Sequence, residues 1–264
     1  MPVRTTEPPR NPWDYIAKLV AIGDSGCGKS SLTVRLCENR FSATHDVTIG
    51  VEFGSRIVPV GPPANKALEK GNTATAAELA ENSNGQQKKM KLSLWDTAGQ
   101  ETYKSITRSY FRGASGALLV FDLSRRKSFE SATAWLNDLR QIADNNIVVV
   151  LVGNKLDLAS QSTDIEGGNK RQVTKEEAEE WCRREGVLKY IETSAKSGEN
   201  VEKAFLEVAE RIYQNIEAGR YDLADRRSGV KKFGAAGGRD AKQPQAVNLT
   251  VGDAAKGGPR GGCC

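Results

Sequence analysis

The sequence predicts a single α/β domain built round a mainly parallel sheet, and two observations carry that prediction. Apolar runs of strand length alternate with amphipathic stretches of helix length. Several of the runs are nearly continuous in Val, Ile and Leu, the pattern of strands covered on both faces. The strand-like runs, in order, are Ile16–Ile22, Val51–Val60, Met90–Trp95, Ala117–Phe121, Ile147–Val152 and Lys189–Glu192. Lys29–Asn39, Ser128–Asp144, Thr174–Glu185 and Val201–Ile216 read as helices, with Thr174 and Glu177 spaced as a capping box. The domain so defined covers residues 13–218.

What surrounds this pattern is of another composition. Residues 1–12 are proline-rich and polar with no apolar core segment, so no secretory signal is expected and the chain is expected in the cytosol. No run of eighteen apolar residues offers a membrane span. Gly61–Lys89 carries Pro62-Pro63, Gln86-Gln87 and few large apolar residues; it reads as a loop insertion, with room for a short helix over Ala74–Glu81. A smaller surface loop is expected near Ile165–Lys170. Residues 219–264 read as a flexible basic tail, and Gly229–Gly262 within it as a disordered linker rich in Gly, Ala, Lys and Arg. Residues 225–264 hold eight Lys and Arg against three Asp, so the whole formal +5 of the chain resides there. Nucleic acid and an anionic membrane are the two partners such charge suggests. The five cysteines lack C-x-x-C spacing, and the single histidine, His45, has no Cys or His near it, which argues against zinc and against a disulfide framework.

Gly23-Asp24-Ser25-Gly26-Cys27-Gly28-Lys29-Ser30 fits G-x-x-x-x-G-K-S, and it stands between a strand-like and a helix-like run, as a phosphate-binding loop must. The glycines let backbone N–H groups curl round phosphate oxygens at a helix N-terminus. Lys29 is expected to reach the β- and γ-phosphates and the Ser30 hydroxyl to ligate magnesium, with Ser31 following in the loop. Asn154-Lys155-Leu156-Asp157 closes the run before it, at the strand end where ligands bind in such sheets. The Asp157 carboxylate can accept from guanine N1–H and the exocyclic amine; with adenine it would be buried unpaired. Discrimination of ~10⁴ or more is within reach of such a site. Asp96-Thr97-Ala98-Gly99-Gln100 closes another strand: Asp96 is expected to hold magnesium through a water, the Gly99 N–H to meet the γ-phosphate, and Gln100 to orient the attacking water.

Taken in order, G-D-S-G-C-G-K-S, T-I-G-V-E-F (Thr48–Phe53), W-D-T-A-G-Q-E (Trp95–Glu101), G-N-K-L-D-L (Gly153–Leu158) and E-T-S-A-K (Glu192–Lys196) resemble the Ras superfamily and, within it, the Rab family. T-R-S-Y-F-R-G-A, A-W-L-N-D-L-R and N-I-V-V-V-L-V-G-N-K look most like Rabs of endosomal recycling. The resemblance implies a P-loop NTPase fold, a small G-protein domain with a mostly parallel six-stranded sheet flanked by helices. It implies a GTPase that binds GTP or GDP with Mg2+, regulates vesicle transport and turns over slowly without an activating protein. By the same resemblance Thr48 joins the magnesium ligands in the GTP state and Phe41 packs on the guanine ring. Ser194, Ala195 and Lys196 contact the base, chiefly through backbone N–H groups. Phe53, Trp95 and Tyr110 match the aromatic trio read by effectors, although each alone could be an ordinary core or hairpin aromatic. Implied partners are an exchange factor, a GTPase-activating protein, a dissociation inhibitor or prenylation escort, and effectors.

The departures are the 61–89 insertion, where the family has a short hairpin, and Thr102, where Rabs usually carry Arg. Cys263-Cys264 end the chain behind the basic linker; in a Rab-like protein both are expected to carry geranylgeranyl groups. Two lipids anchor where one holds only marginally. The tail lacks interleaved aromatics, so nucleic acid is not expected. The expected location is the cytoplasmic face of early or recycling endosomes, with a cytosolic GDP-bound pool. Rival readings are a GTP-holding scaffold without useful turnover, a Rab of another secretory or endocytic step, and a P-loop kinase, which should lack N-K-x-D.

Overall fold

The computed structural model describes residues 12–43, 47–64, 87–100, 104–159 (104–106 by backbone alone), 170–225 and 227–233. The elements follow as β1 (Tyr15–Ile22), α1 (Lys29–Glu38), β2 (Val51–Val60), β3 (Lys88–Thr97), α2 (Lys104–Ser109), β4 (Gly116–Asp122), α3 (Arg126–Glu130), α4 (Ala132–Arg140), β5 (Val148–Asn154), α5 (Leu156–Ala159), α6 (Lys175–Glu185), β6 (Lys189–Glu192), α7 (Val201–Glu217) and β7 (Val230–Lys232). Along the sheet the order is β2-β3-β1-β4-β5-β6, with β7 joined to β1. β3, β1, β4, β5 and β6 run parallel; β2 is antiparallel to β3.

Alternate residues of the central strands bury into opposite layers, which is why these strands read as unbroken apolar runs. Val148, Val150 and Val152 of β5 join Leu32 and Leu36 of α1 and Phe205, Val208 and Ile212 of α7. Val149 and Leu151 turn the other way, to Trp135, Leu136 and Leu139 of α4 and Trp181 of α6. From β1 the chain passes through α1 to β2 and β3 on one side of it, then crosses to β4 on the other. The carboxyl end of β1 is therefore a topological switch point, where ligands bind in open α/β sheets.

Four expectations change. The stretch Ser128–Asp144 is two helices that meet at Ser131 and end at Arg140; the Ser131 hydroxyl donates to Lys127 O, a back-bond that bends helices. The capping box is half made: the Thr174 hydroxyl accepts from Glu177 N, while the Glu177 carboxylate pairs with Arg126 at 2.5 Å. The insertion is shorter than 61–89, because Lys88 and Lys89 belong to β3 opposite Val60 and Pro59. Its stem is fastened: Glu210 of α7 accepts from Gly61 N at 2.7 Å, and Gln87 donates to Val60 O at 2.7 Å. The expected helix over 74–81 and the loop over 165–169 lie outside the described residues.

The fourth change concerns the tail. Residues 219–233 were expected to be flexible, yet the chain turns back after α7 and packs. Tyr221 and Val230 are buried in the same core layer as α7. β7 runs antiparallel to Tyr15–Ala17, the part of β1 that β4 does not reach, since β4 pairs from Leu19 onward. Gly229 O accepts from Lys18 N at 2.9 Å, and the Phe233 ring meets Trp13 edge-on at 5.6 Å. The strap is closely fitted: a Cβ on Gly229 would overlap the Gly113 carbonyl. No described helix is long and apolar enough to cross a membrane.

Candidate functional site

The loop between β1 and α1 is shaped by glycine. Gly23, Gly26 and Gly28 take φ of 134°, 77° and 89°, which L side chains rarely adopt. A Cβ on Gly23 would strike the Val120 carbonyl, and one on Gly28 the Asn154 amide. The loop's carbonyls are held by side chains. Lys29 Nζ donates to Gly23 O (2.8 Å) and Asp24 O (3.0 Å), and Asn154 Nδ2 donates to Cys27 O (2.9 Å). Burial pulls the Lys29 ammonium below its ordinary value, with the Asp96 charge opposing that effect.

A cleft of about 490 Å³ opens on this loop, a size suited to a nucleotide. Its walls include Lys29, Ser30, Thr48, Gly99, Asp157 and Phe41, gathered from five separate stretches of sequence. Ser25, Gly26, Gly28, Ser31, Asn154, Lys155, Ala195 and Lys196 complete the predicted residues that line it. Gly99 comes within contact of the phosphate loop: its carbonyl accepts from Ser25 N at 2.9 Å, and a Cβ would lie 2.5 Å from that nitrogen. Gln100 follows Gly99 but is not among the lining residues.

The fit for magnesium rests on one polar cluster. The hydroxyls of Ser30 and Thr48, eighteen residues apart, stand 2.8 Å from each other. Asp96 is fully buried and neither of its oxygens has a hydrogen-bond partner among the described residues. Burial raises its pKa to about 6; the nearby Ser30 hydroxyl and Lys29 ammonium pull it down without satisfying a carboxylate oxygen. An orphaned buried carboxylate beside two hydroxyl oxygens suits a hard divalent cation, so Ser30, Thr48 and Asp96 fit the group expected of them.

At the other end of the cleft Asp157 Oδ1 accepts from the Ser194 hydroxyl at 2.6 Å, which fixes the carboxylate. Asn154 acts as a strut: besides gripping Cys27 O, its Oδ1 accepts from Thr193 Oγ1 and from Ala195 N, both at 3.2 Å. The Ala195 N–H is thereby hydrogen-bonded to Asn154 at the wall of the cleft. Lys155, at φ 68°, pairs with Asp122 at 2.7 Å. Burial works to raise the Asp122 carboxyl, but hydrogen bonds from Lys155 and Ser124 outweigh it and hold it below the usual range.

Two predicted site residues have their side chains turned elsewhere. Asp24 Oδ1 accepts from Trp135 Nε1 at 2.8 Å, and the Cys27 thiol is buried beside Arg125 at 3.1 Å, so each offers only backbone to a ligand. Phe53, Trp95 and Tyr110 form a continuous row, with ring centroids 4.6 and 5.6 Å apart. Phe53 is 65% exposed, and Lys18 Nζ lies 3.9 Å from the Trp95 centroid. His45, Thr102, Cys263 and Cys264 lie outside the described residues.

Sequence reasoning did not find Arg35, whose guanidinium holds Ala195 O (2.9 Å) and Lys196 O (2.6 Å), nor Arg125, Trp135 or the Arg171–Glu192 pair behind the base loop. Their partners lie tens of residues away or more, so no local spacing announces them.

A sequence model of the Ras family matches residues 18–69 and 64–214, two segments that meet in the insertion. The matched segments contain the phosphate loop, Asp96, Asn154, Asp157 and Ser194, the residues that shape the cleft. On that match, and on the sheet order and cleft that accompany it, the chain belongs to the Ras family of small GTPases.

Proposed function

We propose that this GTPase is a Rab-type switch that acts on membranes of vesicle traffic, in endosomal recycling. The observation that carries the switch is the 2.8 Å approach of Ser30 to Thr48 beside the unpartnered Asp96. Ser30 belongs to the rigid helix α1, whereas Thr48 belongs to the loop before β2. A ligand that holds both hydroxyls ties that loop to the nucleotide, and loss of the γ-phosphate releases it. Magnesium, when bound, would supply charge neutralisation to the β- and γ-phosphates.

The residues of the chain do the rest. Inward N–H groups of the phosphate loop and Lys29 bind the phosphates, and the Gly99 N–H contacts the γ-phosphate. Asp157 accepts from the guanine N1–H and amine, Phe41 covers the ring, and Gln100 orients the water. Turnover without an activating protein is on the order of 10⁻⁴ to 10⁻³ s⁻¹. The Rab reading is supported by the Phe53–Trp95–Tyr110 row, exposed at Phe53 and half-buried at the other two rings, a surface for an apolar effector that senses the loops on either side of it. Cys263 and Cys264 carry the lipids that hold the protein on endosomal membranes, and the basic tail adds attraction to anionic headgroups.

The test is the distribution of the tagged protein in cells. Wild type should mark endosomal membranes, Gln100→Leu should increase the membrane fraction, and Cys263→Ser/Cys264→Ser should be cytosolic. Membrane retention of the double serine variant would overturn the lipid anchor, and location on a non-endosomal compartment would overturn the recycling role.

A further inference from the structure

We propose that Arg125 is a positioning residue of the phosphate loop: by gripping Ser25 O from outside, it aims the Gly26 N–H at the phosphates and slows nucleotide release. Arg125 stands in the turn between β4 and α3, a hundred residues from the loop. Its Nη2 donates to Ser25 O at 2.7 Å and lies 3.1 Å from the Cys27 sulfur.

In a trans peptide the C=O of one residue and the N–H of the next point in opposite directions. Ser25 and Gly26 line the cleft, Arg125 is not among its lining residues, and the guanidinium holds Ser25 O. The Gly26 N–H is thereby presented inward. Asn154 does the same one turn further on, where its hold on Cys27 O presents the Gly28 N–H. Gly26, at φ 77°, is the loop glycine whose surroundings leave open space, whereas a Cβ on Gly23 or Gly28 would overlap its neighbours, so this peptide is the one that needs an added grip. A Cβ there would lie 3.7 Å from Arg125 Nη1, so the guanidinium also borders this peptide directly. The Arg125 Nε is buried without a partner among the described residues, which marks a side chain held in place for its far end.

The role rests on the nucleotide reading of the cleft, and the experiment separates the two. Release of a fluorescent GDP analogue from the full-length, magnesium-loaded protein is followed after adding excess GDP. Arg125→Ala and Arg125→Met should release on the order of tenfold faster, as loss of a charged hydrogen bond implies. Arg125→Lys, which keeps charge and a donor, should recover most of the slow release. Arg126→Ala, which removes pairs with Glu130 and Glu177 on the surface, should release as wild type does. Guanine-over-adenine preference should be unmoved in every variant. Wild-type protein that fails to retain GDP would overturn the nucleotide reading itself. Retention by wild type with release from Arg125→Ala within twofold of it would overturn the role of Arg125, as would slow release in Arg125→Met, since the stem alone would then suffice. Should Arg125→Ala not fold, the Lys and Met variants decide.

Discussion

Replacing Asp96 by Asn should stabilise the protein in the absence of nucleotide and magnesium while removing its affinity for the metal. The carboxyl is fully buried, neither oxygen has a partner among the described residues, and burial lifts its pKa from 3.8 to about 6. That displacement corresponds to roughly 3 kcal/mol held against the folded state at neutral pH. The sign follows from the direction. Below pH 3.8 the group is protonated folded or unfolded and costs nothing; the penalty grows as pH rises from there to about 6 and is complete above it. Asn carries no charge to desolvate, and Lys29 keeps its bonds to Gly23 O and Asp24 O without Asp96. Thermal unfolding of EDTA-treated, nucleotide-free protein at pH 7.5 should show Asp96→Asn melting on the order of 5–10 °C higher. The two proteins should converge near pH 4. With magnesium and GDP the order should reverse, because the wild type alone supplies the anionic ligand. A variant that melts lower than wild type at pH 7.5 without metal would refute the reasoning, for it would mean that the carboxylate is satisfied by the protein.

Other consequences are as direct. Burial works to raise the Glu192 carboxyl, but two bonds from Arg171 (2.7 and 2.8 Å) and one from Tyr190 outweigh it and leave it below its ordinary 4.5. Its contribution is present above pH 4.5 and lost as pH falls through the lowered value, so Glu192→Gln should be about 1–3 kcal/mol less stable in urea at pH 7, with the gap closing in acid. Asp157→Ala should weaken GTP binding by about a hundredfold or more and leave weak ATP binding unchanged in a displacement titration. Gly229→Ala should lift β7 from β1, because the new methyl meets backbone that cannot yield; limited proteolysis should then cut between 219 and 233, where wild type resists.

The phosphate loop and N-K-x-D were legible because their work is done by neighbours in one turn, so spacing alone encodes the geometry. The strands were legible because two covering layers force unbroken apolar runs, as in Val148–Val152. β7 was not: three residues with one buried valine between Gly229 and two lysines carry no period, and their pairing depends on an edge that β4 leaves open. Arg125 was missed for a related reason. A guanidinium in a charged turn is ordinary, and only the fold shows that it ends on Ser25 O. Asp24 was placed in the loop by the motif, and only the fold shows that its carboxylate accepts from Trp135 of α4.

The central claim is that the cleft is a guanine-specific site that hydrolyses what it binds. Single-turnover conversion of preloaded GTP, followed with excess ATP present and with Gln100→Leu in parallel, tests this most directly. The prediction is conversion to GDP on the order of 10⁻⁴ to 10⁻³ s⁻¹ in the wild type, further slowing in Gln100→Leu, and no displacement by ATP. Loss of GTP to ATP, or wild-type GTP that stays intact as long as the variant's, would contradict it.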